Sequence, residues 1–379
     1  MGLIDANPIL VGSNSASNEG LSMAIQNRQR LLLIGATALA FPFSAPAITT
    51  SGQYTVTILG RVQHNYSNSS IFGLSINDNG QVAGYATVRV PHNPFRVYRG
   101  VIWQSGEPHY TILGTISEGW FDSIAYGINN SGIAVGTSME NTSHGFVTVP
   151  AMFTPNGVVD LGVKNATNGY ATAINNSGQT VGDLFYFDTP YPATQAFSYQ
   201  NGVMTLLGYP VPTIGYSLAL AINNNGLIVG AAQFVRHVPR HAASYFNGVW
   251  TDLGSIGPSS SFEAFATSVN DSGVIVGIWQ NGNEEGGVFI YQNGQIADLH
   301  APNRNGNPFI NNAGQIVFGD FIYENGAWQD INDLDLGDGW KFTEASGINN
   351  HGAIIGYMHR VSNGVTIYRF GLLTPVTSN

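Results

Sequence analysis

The chain of 379 residues contains no cysteine, and only 9% of its residues are charged. The absence of cysteine excludes disulfides and thiolate metal sites. The formal net charge of −10, without a basic run or a phosphate-binding glycine loop, argues against nucleic acid and anionic membranes as partners. No GxSxG, HExxH or EF-hand loop is present, so we assign no catalytic residue, metal site or cofactor. What the chain does have is 43% hydrophobic residues, enough for a large core.

The first 47 residues differ from the rest. Arg28 and Arg30 precede an apolar run over residues 31–43, and small residues flank Pro46 at Ala45 and Ala47. The run is short for a membrane span, and this order is typical of a cleaved export signal. A disordered leader with an apolar patch is the alternative.

We therefore predict a leader over residues 1–47, cleaved after Ala47, with Met23 as a possible true start. Residues 48–379 are then one domain, secreted or held in the periplasm or at the cell surface. We expect no membrane span in this mature chain and a monomeric state.

A phrase of the form INNSGxxVG occurs seven times in that domain. Its first asparagines are separated by 38 to 52 residues, a period typical of propeller blades. Each unit contains four short segments with the alternation and β-branched content of strands. The key asparagines are Asn77, Asn129, Asn175, Asn223, Asn270, Asn311 and Asn349.

Turn chemistry explains the repeated phrase. In the third unit, Asn175 suits the first position of a type I turn, and Gly178 suits the left-handed position after it. Gly182 predicts a close backbone approach or a bulge in the second strand. A second recurring pair, Asn-Gly, predicts hairpins between strands three and four. A ring of ligand-binding amides is the alternative explanation of the asparagines.

The last unit supplies only three strands, and a spare one, residues 54–60, precedes the first unit. A ring without an unpaired edge requires the spare strand to join the last unit. The sequence therefore predicts an all-β fold, a seven-bladed β-propeller of four-stranded antiparallel blades, closed by strand 54–60.

The phrases AINNSGQTVG and HAASYFNGVWTDLG resemble the HAF repeats of bacterial extracellular proteins. The three letters are partly kept, as HGF at 144–146, QAF at 195–197 and HAA at 241–243. The resemblance covers the mature chain and implies export and a repeat architecture. It brings no catalytic residues with it.

Ligand groups are expected on the face that carries the variable loops between strands two and three, since such loops on a rigid scaffold carry function. Aromatic residues near the starts of first strands are candidates for a rim around the channel. Two basic loops could clamp an anion. The alternatives are rings that pack blades together and ordinary solvated loop tips. The candidate residues are Trp120, Tyr170, Tyr216, Phe262, Trp340, Arg96 and Arg240.

The sequence favours a secreted propeller that binds carbohydrate or another extracellular ligand, glycan or protein. A polysaccharide-active enzyme, a glycosidase or lyase using two loop carboxylates, is the alternative. The available loop carboxylates are Glu118, Asp122, Asp188, Glu263, Glu284, Glu285 and Asp338. No pattern selects a pair among them, so an enzyme is the less favoured interpretation.

Overall fold

In a computed structural model, seven four-stranded antiparallel sheets follow one another along the chain. The predicted seven-bladed β-propeller is confirmed. The structure describes residues 54–59, 71–89, 96–104, 110–117, 122–142, 145–186, 193–212, 215–236, 238–254, 256, 263–280, 286–302, 306–334 and 336–376. The predicted leader, 1–47, lies outside these residues, together with Met23 and the cleavage position.

The blades are numbered in chain order after an initial strand, β1 (Tyr54–Ile58). Blade 1 comprises β2 (Ile71–Ile76), β3 (Gln81–Arg89), β4 (Arg96–Gln104) and β5 (Tyr110–Ile112). Blade 2 comprises β6 (Asp122–Ile128), β7 (Ala134–Thr142), β8 (Gly145–Thr154) and β9 (Gly157–Asp160). Blade 3 comprises β10 (Asn168–Ile174), β11 (Thr180–Tyr186), β12 (Ala193–Gln200) and β13 (Val203–Leu206). Blade 4 comprises β14 (Ser217–Ile222), β15 (Ile228–Ala232), β16 (His241–Phe246) and β17 (Val249–Gly254).

The remaining blades are less regular. Blade 5 comprises β18 (Glu263–Val269), β19 (Ile275–Gln280), β20 (Gly286–Gln292) and β21 (Gln295–Asp298). Blade 6 has β22 (Phe309–Ile310), β23 (Ile316–Phe318), β24 (Phe321–Glu324) and β25 (Ala327–Asp330), followed by a 3-10 helix (Ile331–Asp333). Blade 7 has β26 (Lys341–Ile348), β27 (Ile354–Ser362) and β28 (Val365–Pro375).

Blade 7 is completed by the first strand of the chain. β1 pairs antiparallel with β28, in a register that joins Tyr54 to Pro375 and Ile58 to Gly371. The predicted closure is therefore confirmed. It removes the open edge that β28 would otherwise present.

The repeated phrase forms the turn between first and second strands, as predicted. In blade 3 the Asn175 side-chain oxygen accepts hydrogen bonds from the backbone N–H groups of Ser177 and Gln179 at 3.1 and 3.0 Å. Gly178 has a φ of 83°, the left-handed conformation that glycine adopts without strain. The asparagine therefore caps its own turn.

The glycine inside the second strand allows a close backbone approach. A Cβ atom at Gly182 would clash with the backbone carbonyl of Tyr170 and press on the ring of Phe197. The first strand shifts register between Ala171 and Ala173 next to this contact. Six blades share the carbonyl contact, through Gly84, Gly136, Gly182, Gly230, Gly277 and Gly356. Both effects predicted for Gly182 are present, although the bulge lies in the partner strand.

Among the described residues, eight hydrophobic clusters of the core join neighbouring blades, and a ninth lies within blade 1. In one of them, Val135 of blade 2 packs with Ala171 and Phe197 of blade 3. In another, Val229 of blade 4 packs with Ala264 and Phe289 of blade 5. Small residues on the first strands let the blades approach closely. The core thus holds the blades against one another.

Candidate functional site

The turns between first and second strands meet around the channel at one end of the ring, which we call the turn mouth. Here the side-chain amide of each key asparagine donates a hydrogen bond to the backbone carbonyl of the next blade's asparagine. The seven bonds span 2.8 to 3.2 Å and form a closed ring, from Asn77 through Asn349 and back. A depression of about 220 Å³ opens over this ring.

A second ring lies on the first. The residue after each key asparagine donates its backbone N–H to the side-chain oxygen of its counterpart in the next blade. Five of these residues are asparagines, and the other two are Asp78 and Asp271. Because the polar groups of the turn mouth bind one another, the geometry favours the structural explanation of the asparagines over the ligand-binding one.

The two aspartates of this second ring are held in their charged form. Partial burial raises the pKa of Asp78, but hydrogen bonds from Asn130 and Asn350 outweigh it and leave the pKa below its usual value. The pKa of Asp271 is lowered in the same way by Asn224 and Asn312. Each carboxylate thus accepts amide hydrogen bonds from both flanking blades.

The opposite end of the ring, which we call the loop face, carries the loops between second and third strands and the crossings between blades. Trp120 and Phe262 lie outside the described residues, and Arg96 is described only as the first backbone position of β4. Trp340 is 8% exposed and belongs to a core cluster with Tyr54 and Phe342. Its ring therefore does not stand open at a channel rim.

The candidate aromatic residues are also not equivalent in register. Tyr170 lies five residues before its key asparagine, Tyr216 seven before and Trp340 nine before. Tyr170 sits inside β10, with its ring 6.4 Å from that of Tyr126 and 5.6 Å from that of Phe185. A single ring of equivalent aromatic side chains is therefore not formed by these three.

Two candidate residues do meet. Arg240, in the loop before β16, donates a hydrogen bond from Nη1 to the Tyr216 hydroxyl at 2.9 Å. Its Nε and Nη2 atoms bind both carboxylate oxygens of Glu263 at 2.8 and 3.0 Å. The guanidinium also lies over the rings of Tyr216, at 4.8 Å, and Phe265, at 5.3 Å. We call Tyr216, Arg240 and Glu263 the arginine cluster.

The arginine cluster is rigid but reachable. The side chains of Arg240 and Glu263 are 19% and 22% exposed. Burial lowers the pKa of Arg240, but Tyr216 and Glu263 outweigh this effect and raise it. Burial raises the pKa of Tyr216 to about 12, so its hydroxyl stays protonated. A bidentate pair on aromatic rings fixes the geometry of the donors and acceptors.

A carboxyl group that the sequence analysis did not single out interacts electrostatically with Tyr216 of the arginine cluster. Asp183, in β11, is fully buried, and burial raises its pKa well above the usual value, although a hydrogen bond from the Ala219 N–H opposes this. That bond, to Oδ1, measures 2.8 Å, and Oδ2 has no hydrogen-bond partner among the described residues. The sequence signal for a buried carboxyl group was the position of this aspartate inside the apolar run VGDLFY.

Aromatic side chains that were not singled out from the sequence form a connected group across blades 7 and 1. Phe72 stacks on Tyr85 with 4.7 Å between ring centroids, and it lies 6.0 Å from Tyr357. Tyr85 in turn meets Tyr98 edge-on at 5.5 Å. These contacts join aromatic side chains of β2, β3, β4 and β27 into one group.

The loop carboxylates among the described residues either bind a neighbouring group or are exposed to solvent. Asp122 accepts a hydrogen bond from the Tyr98 N–H at 2.6 Å, and Glu263 belongs to the arginine cluster. Among the residues that the structure describes, no three or more histidine, aspartate or glutamate side chains are grouped so that they could bind a metal ion. The described part of the chain also lacks any helix with the length and hydrophobicity needed to span a membrane.

Comparison with known proteins adds little about function. Residues 54–204 match the family described as "Protein of unknown function (DUF3466)". The matched residues make up less than half of the chain. No curated protein matches the sequence.

Solved structures with a similar arrangement are distant. TolB from Acinetobacter baumannii is 11% identical with a TM-score of 0.40, covering 60% of this chain and 52% of its own. The acylaminoacyl peptidase of Pyrococcus horikoshii is 10% identical with a TM-score of 0.48, covering 81% and 53%. A mutant Aleuria aurantia lectin in complex with Fucalpha1-6GlcNAc is 13% identical with a TM-score of 0.36, covering 81% and 96%. The chain spans about half the length of the first two. Likenesses at this level carry no conclusion about ligand or activity.

Proposed function

We propose that this protein is a secreted binding module that recognises a neutral carbohydrate at the arginine cluster of the loop face. The observation that carries the proposal is the contact of Arg240 with both Tyr216 and Glu263. These groups are held in place before any ligand arrives, so little conformational entropy would be lost on binding. The resemblance to HAF repeats, with the export that it implies, supports a location outside the cytoplasm.

Charge compensation argues for a neutral ligand. Glu263 neutralises Arg240 through two hydrogen bonds, so the loop is poorly suited to the anion clamp expected from its sequence. Three of the five guanidinium N–H donors are used within the arginine cluster, and two are left for a ligand. The carboxylate keeps spare acceptor sites. Sugar hydroxyls both donate and accept, and therefore match this combination.

The test is a panel of immobilised neutral polysaccharides, followed by calorimetric titration of any that bind. We expect Arg240→Gln and Glu263→Gln each to weaken binding at least tenfold, which is about 1.4 kcal/mol. Tyr216→Phe removes only the hydroxyl and should give a smaller loss. Arg236→Gln is the matched control, since Arg236 is an exposed arginine of the same loop. Wild-type affinity in a well-folded Arg240→Gln protein would refute the proposal.

The same incubations also test the enzyme alternative. Release of reducing ends that a single aspartate or glutamate substitution abolishes would make the protein a glycosidase or lyase. Binding without release is expected, because Asp122 and Glu263 already serve as partners of neighbouring groups.

A further inference from the structure

We infer that the ligand of this protein is a carbohydrate chain of several sugar units, and that a second group of residues binds it beside the arginine cluster. This group, which we call the tyrosine cluster, comprises Tyr85 of blade 1, Tyr126 of blade 2 and Tyr170 of blade 3. The choice of a neutral carbohydrate rests on the proposed function, whereas the chain length and the second contact site are new.

Two of the three tyrosines face the channel. Tyr126 lies in β6 and Tyr170 in β10, the first strands of blades 2 and 3. Each of them is a half-buried residue between two fully buried ones. Because successive side chains of a strand point to opposite faces, the half-buried set points away from the packed interior, towards the channel that the first strands surround. The two rings lie 6.4 Å apart, edge to face.

Tyr85 joins them from the second strand of blade 1. It follows the glycine that makes the close backbone approach in blade 1, just as Asp183 follows the corresponding glycine in blade 3. The Asp183 side chain reaches the next blade, where it accepts the Ala219 N–H. Tyr85 is oriented in the same way, and it interacts electrostatically with Tyr126 of the next blade. The three tyrosines therefore form one group across three consecutive blades.

Tyr126 departs from the repeat at the bulge of its strand. It lies at the register shift of β6, between Ala125 and Gly127. Bulges re-aim side chains and are frequent next to functional sites. In blades 3, 5 and 7 the residue at this shift carries a hydroxyl that donates to a backbone carbonyl of the next blade at 2.6 to 3.0 Å; these residues are Thr172, Thr267 and Ser346. Tyr126 makes no such bond, so its side chain is available for another role.

The tyrosine cluster holds hydroxyl groups without protein partners. None of the three makes a hydrogen bond to a residue that the structure describes, whereas Arg240 binds the Tyr216 hydroxyl of the arginine cluster. All three side chains are half-buried, and hydroxyls in such positions normally have a partner. Burial raises the pKa of Tyr85 and of Tyr126, so these two hydroxyls stay protonated and uncharged.

A sugar matches this combination of groups. Its hydroxyls pair with hydroxyls that both donate and accept, and the C–H groups of its ring faces pack on aromatic rings. Tyrosine makes both contacts at a low cost in conformational entropy, since its side chain has only two torsions. A purely apolar ligand would leave the three hydroxyls unpaired. The tyrosine cluster therefore suits the same class of ligand as the arginine cluster.

The two clusters lie on consecutive blades. Tyr170 pairs with Asp183 across β10 and β11, and Asp183 interacts electrostatically with Tyr216 of the arginine cluster. Blade 3 thus connects the surroundings of both clusters. A carbohydrate of several units can contact both at once, and two contacts joined in one molecule raise its affinity. A chain is therefore favoured over a single sugar.

The test is calorimetric titration of the full chain with oligosaccharides of two to six units from starch, cellulose, xylan and mannan. In at least one series, we expect the six-unit member to bind at least tenfold more tightly than the two-unit member. Tetramethylammonium is titrated in parallel, because it packs on aromatic rings without conventional hydrogen bonds. Affinity that does not depend on chain length, or binding of tetramethylammonium alone, would overturn the inference. Absence of binding in all four series would overturn both proposals.

A double variant separates binding from folding. Tyr126→Phe/Tyr170→Phe removes two hydroxyls that have no partner in the described structure, so the melting temperature should not fall, while the six-unit affinity should drop at least about fivefold. The control, Tyr323→Phe, removes a hydroxyl from a half-buried tyrosine of blade 6 and should leave the affinity within about twofold. A double variant that melts at a lower temperature with unchanged affinity, or an equal loss in the control, would contradict the inference.

A second variant uses the repeat itself. Tyr126→Thr introduces the residue that blades 3 and 5 carry at this position, so the protein should fold at least as stably. It should lower the six-unit affinity to the two-unit level, whereas Arg240→Gln should weaken binding of both lengths. Loss in Tyr126→Thr alone would support the tyrosine cluster and refute the proposed function. Loss in Arg240→Gln alone would refute the tyrosine cluster and support the proposed function.

Discussion

The side-chain amide of Asn349 donates a hydrogen bond of 3.0 Å to the backbone carbonyl of Asn77, 272 residues earlier in the chain. The same side chain accepts, through its oxygen, the N–H groups of His351 and Ala353 at 3.0 and 2.9 Å. One buried asparagine thus shapes its own turn and joins the last blade to the first. It complements the closure made by β1 at the outer edge of blade 7.

Replacing this asparagine should be costly. Asn349→Ala leaves two N–H groups and one carbonyl without the side chain that bound them, and each buried unsatisfied group costs about 1–3 kcal/mol. Allowing for partial relaxation, we expect the free energy of unfolding in urea to fall by about 3 kcal/mol. Asn176→Ala, at an exposed position of the second ring, is the control and should cost less than about 1 kcal/mol. Equal effects of the two changes would contradict a closing role for Asn349.

A methyl group at Gly182 should be poorly tolerated. It would clash with the backbone carbonyl of Tyr170, which cannot move without disturbing the bulge beside it. We expect Gly182→Ala to lower the free energy of unfolding by about 3 kcal/mol or to prevent folding. Gly178→Ala tests backbone conformation alone, because nothing lies within 4 Å of its Cβ position, and it should cost about 1 kcal/mol. A Gly182→Ala protein as stable as Gly178→Ala would refute the close-approach explanation.

Asp183 should make stability fall as pH rises. Its folded-state pKa lies well above the usual value of 3.8, so the folded state holds this proton where the unfolded chain has lost it. Its contribution is complete below the unfolded pKa and is lost as pH rises through the folded pKa. Asp183→Asn keeps the acceptor for Ala219 and cannot ionise. Relative to wild type, its melting temperature should rise at pH 8 and change little at pH 4, and an unchanged difference between these pH values would contradict the buried protonated acid.

Asp271 should make stability fall as pH falls, the opposite of the effect of Asp183. Its pKa is lowered, so its contribution is present above the usual value of 3.8 and is lost as pH falls through the folded pKa. Asp271→Asn places an amide donor against the amide donors of Asn224 and Asn312. We expect a loss of about 1–2 kcal/mol at neutral pH, measured by urea unfolding. This loss should shrink in acid, where wild type weakens, and a loss that grows in acid would refute the assignment.

The fold was predictable because its signals are local. Asn175 and Gly178 predict one turn. Because the same phrase occurs once in each unit, the number of phrases predicts the number of blades. The spare strand at 54–60 was expected to pair with the last unit, because that unit supplied only three strands. In contrast, the candidate site depended on which side chains of different blades meet, and neither spacing nor turn chemistry carries that information.

The aromatic candidates illustrate this difference. Trp340 and Tyr170 both follow a glycine near the start of a first strand, but they lie nine and five residues before their key asparagines. Because side chains in a strand alternate and the bulge shifts this alternation, such offsets decide whether a ring is buried or faces a neighbour. Trp340 is consequently a core residue.

By itself, the sequence determined the number of blades, their strand order and the closure of the ring, since turn residues and alternating strands act within a few positions of each other. Only the tertiary structure brought Tyr216, Arg240 and Glu263 together, from two blades and the loops between them. It also buried Asp183 inside the apolar surroundings of β11. These relationships depend on strand register, loop path and blade packing, which are properties of the whole ring.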